Sequence, residues 1–333
     1  MSESATKMKR VTNIQAINAA IADAMAEDDM VLVLGEDVAD PEEGGVIGVT
    51  KGLSSRFGEE RVKSTPIAEQ AIIGAAIGAS LVGFKPVAEI MLMNFTTVAM
   101  DMIVNHAAKL RFMSGGQTHV PMVVRTMTGV GMGSGGQHAD YLEAWFAHSA
   151  GLKVVAPSNP ADAYGLMRAA INDPDTVIYI ENLPSAWTQG DAPEPGHVVP
   201  IGTAKVVKEG SDVTIVSYSR IVNDALAAAA MVEEEGISVE VIDLRTVVPW
   251  DKEAVFASLG KTGRCCVVHE AVAQFGVGAE IAAVVSKEFY GRLKAPVARL
   301  GAPYAPVPYS KPLESAYAPS ARQIADEVIG LMA

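Results

Sequence analysis

Runs of β-branched and aliphatic residues alternate with stretches whose apolar residues recur every three or four positions. No other feature of the chain restricts its fold as much. Ile14, Ile17, Ile21 and Met25 keep helical spacing, and a strand-like run over residues 30–34 follows, ending at Gly35-Glu36-Asp37. A helix is expected over 67–81. Strands are expected at 86–88, 122–125, 153–156 and 177–181, with helices between them at about 97–112, 141–148 and 161–171. Strand and helix in turn require a mainly parallel sheet with both faces covered.

Residues 185–197 are rich in Pro, Gly and polar side chains and read as a linker. A second α/β series then begins. Strands are expected over 212–218, 238–242 and 267–269, and a helix over 223–235. Gly236 stands where a helix end favours a left-handed residue, and Pro249-Trp250-Asp251 opens a further helix with an acid at its N-terminal dipole. The expected division is 1–190 and 198–333, joined by 191–197. Within the 67–81 helix, Gly74, Ala75, Gly78 and Ala79 form a small-residue stripe. It suits either close packing inside the chain or a subunit interface.

Composition removes several classes of function. A net charge of −13 argues against a nucleic-acid or anionic-membrane surface. The longest apolar stretch, 71–84, is shorter than the roughly 20 residues that span a bilayer. The first ten residues lack the apolar core of a secretory signal. A soluble cytoplasmic protein is the expectation. The adjacent Cys265 and Cys266 read as reduced residues of a buried strand.

Gly131-Met132-Gly133-Ser134-Gly135-Gly136 fits G-x-G-x-x-G. The ribose-binding acid that a dinucleotide site needs about 20 residues later is missing. The loop is better read as a turn, or as backbone brought close to a ligand. It leads into Gln137-His138, and His138 is the best general acid/base candidate from position alone. Glu69 follows Thr65-Pro66-Ile67-Ala68 and falls in a first helical turn, where an acid suits the helix dipole. No P-loop, zinc-type His/Cys spacing or G-x-S-x-G is present.

The ordered set Gly35-Glu36-Asp37, Thr65 to Glu69, Asn94-Phe95, Met113 to Gly116, Gln137-His138, Gly151 to Val155, Asp243 to Thr246 and Val268-His269-Glu270 is specific in combination. From about residue 12 to 329 the chain resembles the E1 β subunits of thiamine-diphosphate-dependent pyruvate, branched-chain 2-oxo acid and acetoin dehydrogenases. The resemblance implies a thiamine-pyrimidine-binding domain followed by a transketolase-like C-terminal domain. It implies that Glu69 hydrogen-bonds N1′ of the aminopyrimidine, so that the 4′-nitrogen can take the C2 proton. Phe95 would pack on the pyrimidine, and Met91 joins the cofactor-binding residues. His138 would stand near the substrate and the incoming lipoyl group, and His148 also matches a family histidine. Ala170, Asp173 and Asp175 fall where some relatives hold a structural monovalent cation such as K+.

The Gly-Asp-Gly segment that holds Mg2+ and the diphosphate is missing; the one Gly-Asp, Gly190-Asp191, runs into Ala192. The resemblance implies that an α subunit supplies it, in a tetramer of two α and two β chains. A lipoyl-bearing E2 acyltransferase and a 2-oxo acid or acetoin would be the other partners. Gly44 to Leu53 and Arg125-Thr126-Met127 look most like the acetoin type. Gln137-His138-Ala139-Asp140, the Asn182 to Trp187 segment and Leu92-Met93 depart from the usual pattern. Two rival readings remain. A two-subunit transketolase or carboligase would need basic phosphate clamps, and none is evident around His138. A non-catalytic scaffold would have no need of Glu69, Phe95 and His138.

Overall fold

A computed structural model describes residues 10–333. The N-terminal segment read above as no secretory signal lies almost wholly outside the described residues. In chain order the elements begin with β1 (Arg10–Thr12), α1 (Asn13–Glu27), β2 (Val31–Gly35), α2 (Leu53–Phe57), β3 (Val62–Ser64), α3 (Glu69–Leu81) and β4 (Lys85–Leu92). After two non-α helical segments come α4 (Leu110–Met113), β5 (Val123–Thr128), α5 (Glu143–Ala147), β6 (Lys153–Val155), α6 (Pro160–Ile171), β7 (Val177–Asn182) and β8 (Gln189–Asp191). The second half holds β9 (Lys205–Lys208), β10 (Val213–Ser217), α7 (Ile221–Glu233), β11 (Val239–Asp243), β12 (Thr246–Val248) and α8 (Lys252–Thr262). It closes with β13 (Cys265–Val272), α9 (Val277–Glu288), β14 (Ala298–Ala302), α10 (Lys311–Ser315) and α11 (Ala321–Gly330).

Two sheets organise these elements. The larger has the order β12-β6-β7-β5-β4-β2-β3 and is parallel except for β12. The smaller has the order β14-β13-β10-β11-β9 and is parallel except for β9. Central strands such as β5 and β7 are buried along their whole length, which is why they read as continuous apolar runs. Local signals set the helix ends. Thr12 and Gln15 form a capping box on α1, Asn159 caps α6 ahead of Pro160, and Asp251 accepts the Ala254 N–H at the start of α8. Gly236 is left-handed, as expected. Cys265 and Cys266 are free and buried in β13.

Two expectations need correction. The single helix over 97–112 is instead a 3₁₀ segment (Met93–Ala99), a π segment (Met102–Ala107) and the short α4. The hydroxyls of Thr96 and Thr97 bond back to the carbonyls of Met93 and Asn94 at 2.6 and 2.8 Å, which competes with the α-helical ladder. The stretch 185–197 is not wholly a linker, because Gln189–Asp191 pairs antiparallel with β1. A three-residue polar strand carries too little alternation to be seen in sequence. A strand that the sequence reading did not name, β12, comes from the second half and pairs with β6 of the first sheet.

Candidate active site

The first sheet places its functional residues at the carboxyl ends of adjacent parallel strands, where α/β folds build sites. Glu36 follows β2, with Asp37 in a left-handed conformation next to it. Glu69 is the first residue of α3, beyond neighbouring β3, and its N-cap Ala68 offers no side-chain cap. Glu36 is buried, and its Oε1 has no hydrogen-bond partner. Burial raises the Glu36 carboxyl above its ordinary range, and the nearby charge of Glu69 adds to the shift. Glu69 itself is half-buried on an open concavity shared with Ala68, Gln70, Ala71, Val98 and Met102.

One strand over, β4 ends in a register shift against β5 between Ile90 and Leu92. Met91 is the extra residue, and a bulge of this kind re-aims side chains at a strand end. The chain then turns into Asn94 and Phe95. The Phe95 ring meets the His138 ring edge-on, with centroids 5.4 Å apart and planes at 73°. The His138 Nδ1 is buried and unpartnered. Asn94 ties the two segments together. Its amide donates to the Asp140 carboxylate at 3.0 Å and to the Gly136 carbonyl at 3.1 Å, and its side-chain oxygen accepts the Asp140 N–H at 3.2 Å. Burial raises the Asp140 carboxyl, while the Asn94 hydrogen bond opposes the shift.

The structure thus brings together Phe95 with His138, and Glu69 with Glu36. His148 stands apart from both pairs. It is exposed at the end of α5, in a groove with Trp250, Phe275 and Glu280. The residues expected around a monovalent cation are already engaged. Lys153 Nζ lies 2.6 and 2.8 Å from the two Asp173 oxygens, and Arg111 lies 2.8 Å from both Asp175 oxygens. The Ala170 carbonyl accepts the Asp173 N–H at 3.2 Å. An ammonium and a guanidinium neutralise these carboxylates, so they do not fit as free donors for an ion.

Glu36 and Asn94 were visible as parts of motifs, but no local signal gave them roles. Glu270 is likewise visible only as part of a motif, and nothing in the sequence marks Glu143 and Glu314 as buried acids. Gly44 to Leu53 and Arg125 to Met127 meet at Glu89. Gly45 packs on the Glu89 carboxyl, and buried Arg125 pairs with both Glu89 and Glu181.

Two family models match the chain. They are the transketolase pyrimidine binding domain over residues 9–183 and the transketolase C-terminal domain over 202–324. The chain is 44% identical over 318 residues to the beta subunit of acetoin:2,6-dichlorophenolindophenol oxidoreductase of Cupriavidus necator, covering 93% of this chain and 94% of that one. It is 45% identical over 309 residues to the beta subunit of 3-methyl-2-oxobutanoate dehydrogenase of Mycobacterium tuberculosis, covering 90% and 87%. It is 43% identical over 320 residues to the mitochondrial pyruvate dehydrogenase E1 component subunit beta-1 of Arabidopsis thaliana, covering 95% and 88%. A split-gene transketolase, solved as an inactive beta4 tetramer, shares the fold with a TM-score of 0.80 at 23% identity, covering 97% and 98%. Together these likenesses establish that the chain belongs to the transketolase-like superfamily, among the E1 β subunits of thiamine-diphosphate-dependent 2-oxo acid and acetoin dehydrogenases.

Proposed function

We propose that this chain supplies the pyrimidine-binding half of a shared thiamine diphosphate site, with Glu69, Met91, Phe95 and His138 as its contribution. A partner α chain supplies the Mg2+ and diphosphate half. The observation that carries this reading is the convergence of unpartnered polar groups at the strand ends. A buried Glu36 oxygen beside Glu69 and a buried His138 nitrogen against Phe95 both lack partners among the described residues. Buried polar atoms left open in this way suit a polar ring that would bond them.

The chemistry that thiamine diphosphate supplies when bound is a thiazolium carbon that acts as nucleophile and electron sink. Glu69 would hold a proton at N1′ of the pyrimidine, the carboxyl chemistry that a basic exocyclic nitrogen would need. Glu36 stands beside that carboxyl with a buried oxygen left open. Phe95 offers an apolar face to the pyrimidine. His138 holds or gives a proton at the substrate oxygen and at the incoming lipoyl sulfur. The substrate class is a 2-oxo acid or acetoin, and the acyl group passes to the lipoyl arm of an E2 protein. The domains divide at 190 and 198, and the outward stripe of α3, where Gly78 has nothing within 4 Å, is offered to a partner chain. Among the described residues no helix is long and apolar enough to cross a membrane. The two free cysteines fit a reducing cytoplasm.

The decisive variant is Glu69→Gln, assayed with the α chain and dichlorophenolindophenol as electron acceptor. An amide can bond N1′ but cannot exchange the proton. Turnover should fall by at least about 100-fold, within the range of lost general acid–base catalysis, while the assembly stays intact by gel filtration. Full activity in this variant would remove the proposal.

A further inference from the structure

The glycine loop before His138 is held by carboxylates from the second half of the chain. Glu314, on α10, is 4% exposed. Its Oε1 accepts the Gly131 N–H at 2.8 Å and the Gly133 N–H at 2.9 Å, and Oε2 accepts the Gly133 N–H at 3.0 Å. Glu270, on β13, accepts the Val130 N–H at 2.5 Å and the Asn182 amide at 2.8 Å. Successive backbone N–H groups turned to one side form a nest for an anion. Here the chain's own carboxylate fills the nest, which explains why a G-x-G-x-x-G pattern stands in a protein without a dinucleotide site.

The same segment of the second half presses on the loop from above. A Cβ at Gly135 would lie 2.4 Å from the Tyr309 ring, and one at Gly136 would lie 3.2 Å from Pro306. Tyr317 donates to the Ala305 carbonyl at 2.6 Å and closes that segment on itself. Gly131, Gly133 and Gly135 have φ of +133°, +69° and +70°. A loop of such residues has many conformations open to it unless something outside fixes it. Its last glycines lead straight into His138, whose own N–H bonds back to the Gly135 carbonyl at 3.1 Å.

We infer that Glu314 is a positioning residue: its carboxylate, with Glu270 beside it, fixes the glycine loop and so aims His138 at the reacting atoms. The second domain thereby sets the geometry of a site whose side chains belong to the first. The inference rests on the role given to His138 above. Displacing a catalytic group by about 1 Å can cost a hundredfold in rate; Asn94 holds the far end of the loop at the Gly136 carbonyl, and Glu314 holds its glycines at Gly131 and Gly133.

The test uses the assembled α/β complex with thiamine diphosphate and Mg2+. Glu314→Ala should lower kcat by roughly 10- to 100-fold with the KM for thiamine diphosphate unchanged. Glu314→Gln should restore most of the rate, because one amide oxygen can accept both bonds that Oε1 accepts. Amide hydrogen exchange over residues 129–138 should quicken in the alanine variant and not in the glutamine one. Should the alanine variant fail to assemble, Glu314→Asp keeps the charge, shortens the reach and should show the same exchange and kcat changes to a smaller degree. Unchanged exchange, or full kcat in Glu314→Ala, overturns the inference. If the wild-type complex turns over no 2-oxo acid or acetoin, the functional reading fails, and the exchange measurement still decides the clamp.

Discussion

Arg125 shows how much of this site's surroundings is electrostatic architecture rather than chemistry. It sits mid-sheet on β5, 1% exposed, between Glu89 on β4 and Glu181 on β7. A buried guanidinium between two carboxylates is stable only while all three are present, since removing one partner leaves uncompensated charge in a low dielectric. Arg125→Met should therefore destabilise the protein by about 3–5 kcal/mol, read by chemical denaturation. Adding Glu89→Gln and Glu181→Gln should recover much of that loss, because apolar and neutral replacements of a whole cluster are far better tolerated than a broken one. If the single variant melts like the wild type, the cluster carries no such role. In sequence, Arg125-Thr126-Met127 looks most like the acetoin type. The arginine of that segment is buried in the sheet.

The broken helix over 93–113 has a keystone outside itself. Gly151 has φ +106°, and a Cβ there would lie 1.9 Å from the Ala108 carbonyl. Gly151→Ala combines a strained backbone with a direct clash. A cost on the order of 3 kcal/mol is expected, with faster proteolysis near residues 108–116. An unchanged melting point and cleavage pattern would show that the segment does not lean on Gly151. Much at this scale was legible beforehand. Long buried strands such as β5 and β7, and capped helices such as α1 and α6, announce themselves through period and end signals. The 3₁₀ and π pieces did not, because hydroxyl back-bonding and a distant glycine decide them. The same holds for the site. Glu69, Phe95 and His138 could be named from ordered motifs, whereas Glu314 lies more than 170 residues from the loop it holds, and only tertiary structure makes them neighbours.

Across the whole molecule the two halves are joined through buried acids. Glu143 of the first half accepts the Tyr218 hydroxyl of the second at 2.7 Å, and Asp243 of the second accepts the Ser158 hydroxyl of the first at 2.5 Å. With β12 also pairing into the first sheet, the halves should unfold together. Burial pushes each of these carboxyls up to about 7, and hydrogen bonds from Tyr218 and Ser158 only partly oppose it. The sign follows from linkage. A group whose folded pKa lies above its unfolded value favours the fold fully below the unfolded value, and that contribution is lost as pH rises through the folded one. For Glu143 the window runs from 4.5 to about 7. Gln mimics the protonated acid at every pH. At pH 8 Glu143→Gln should therefore be more stable than the wild type by up to about 3 kcal/mol, and the gap should close as pH approaches 4.5. Melting curves of both proteins across that range measure the difference directly. A constant gap would mean that the Glu143 carboxyl takes up its proton equally in the folded and unfolded chain. A gap that opens upward would make the protonation of Glu143 a determinant of how firmly the two halves hold together.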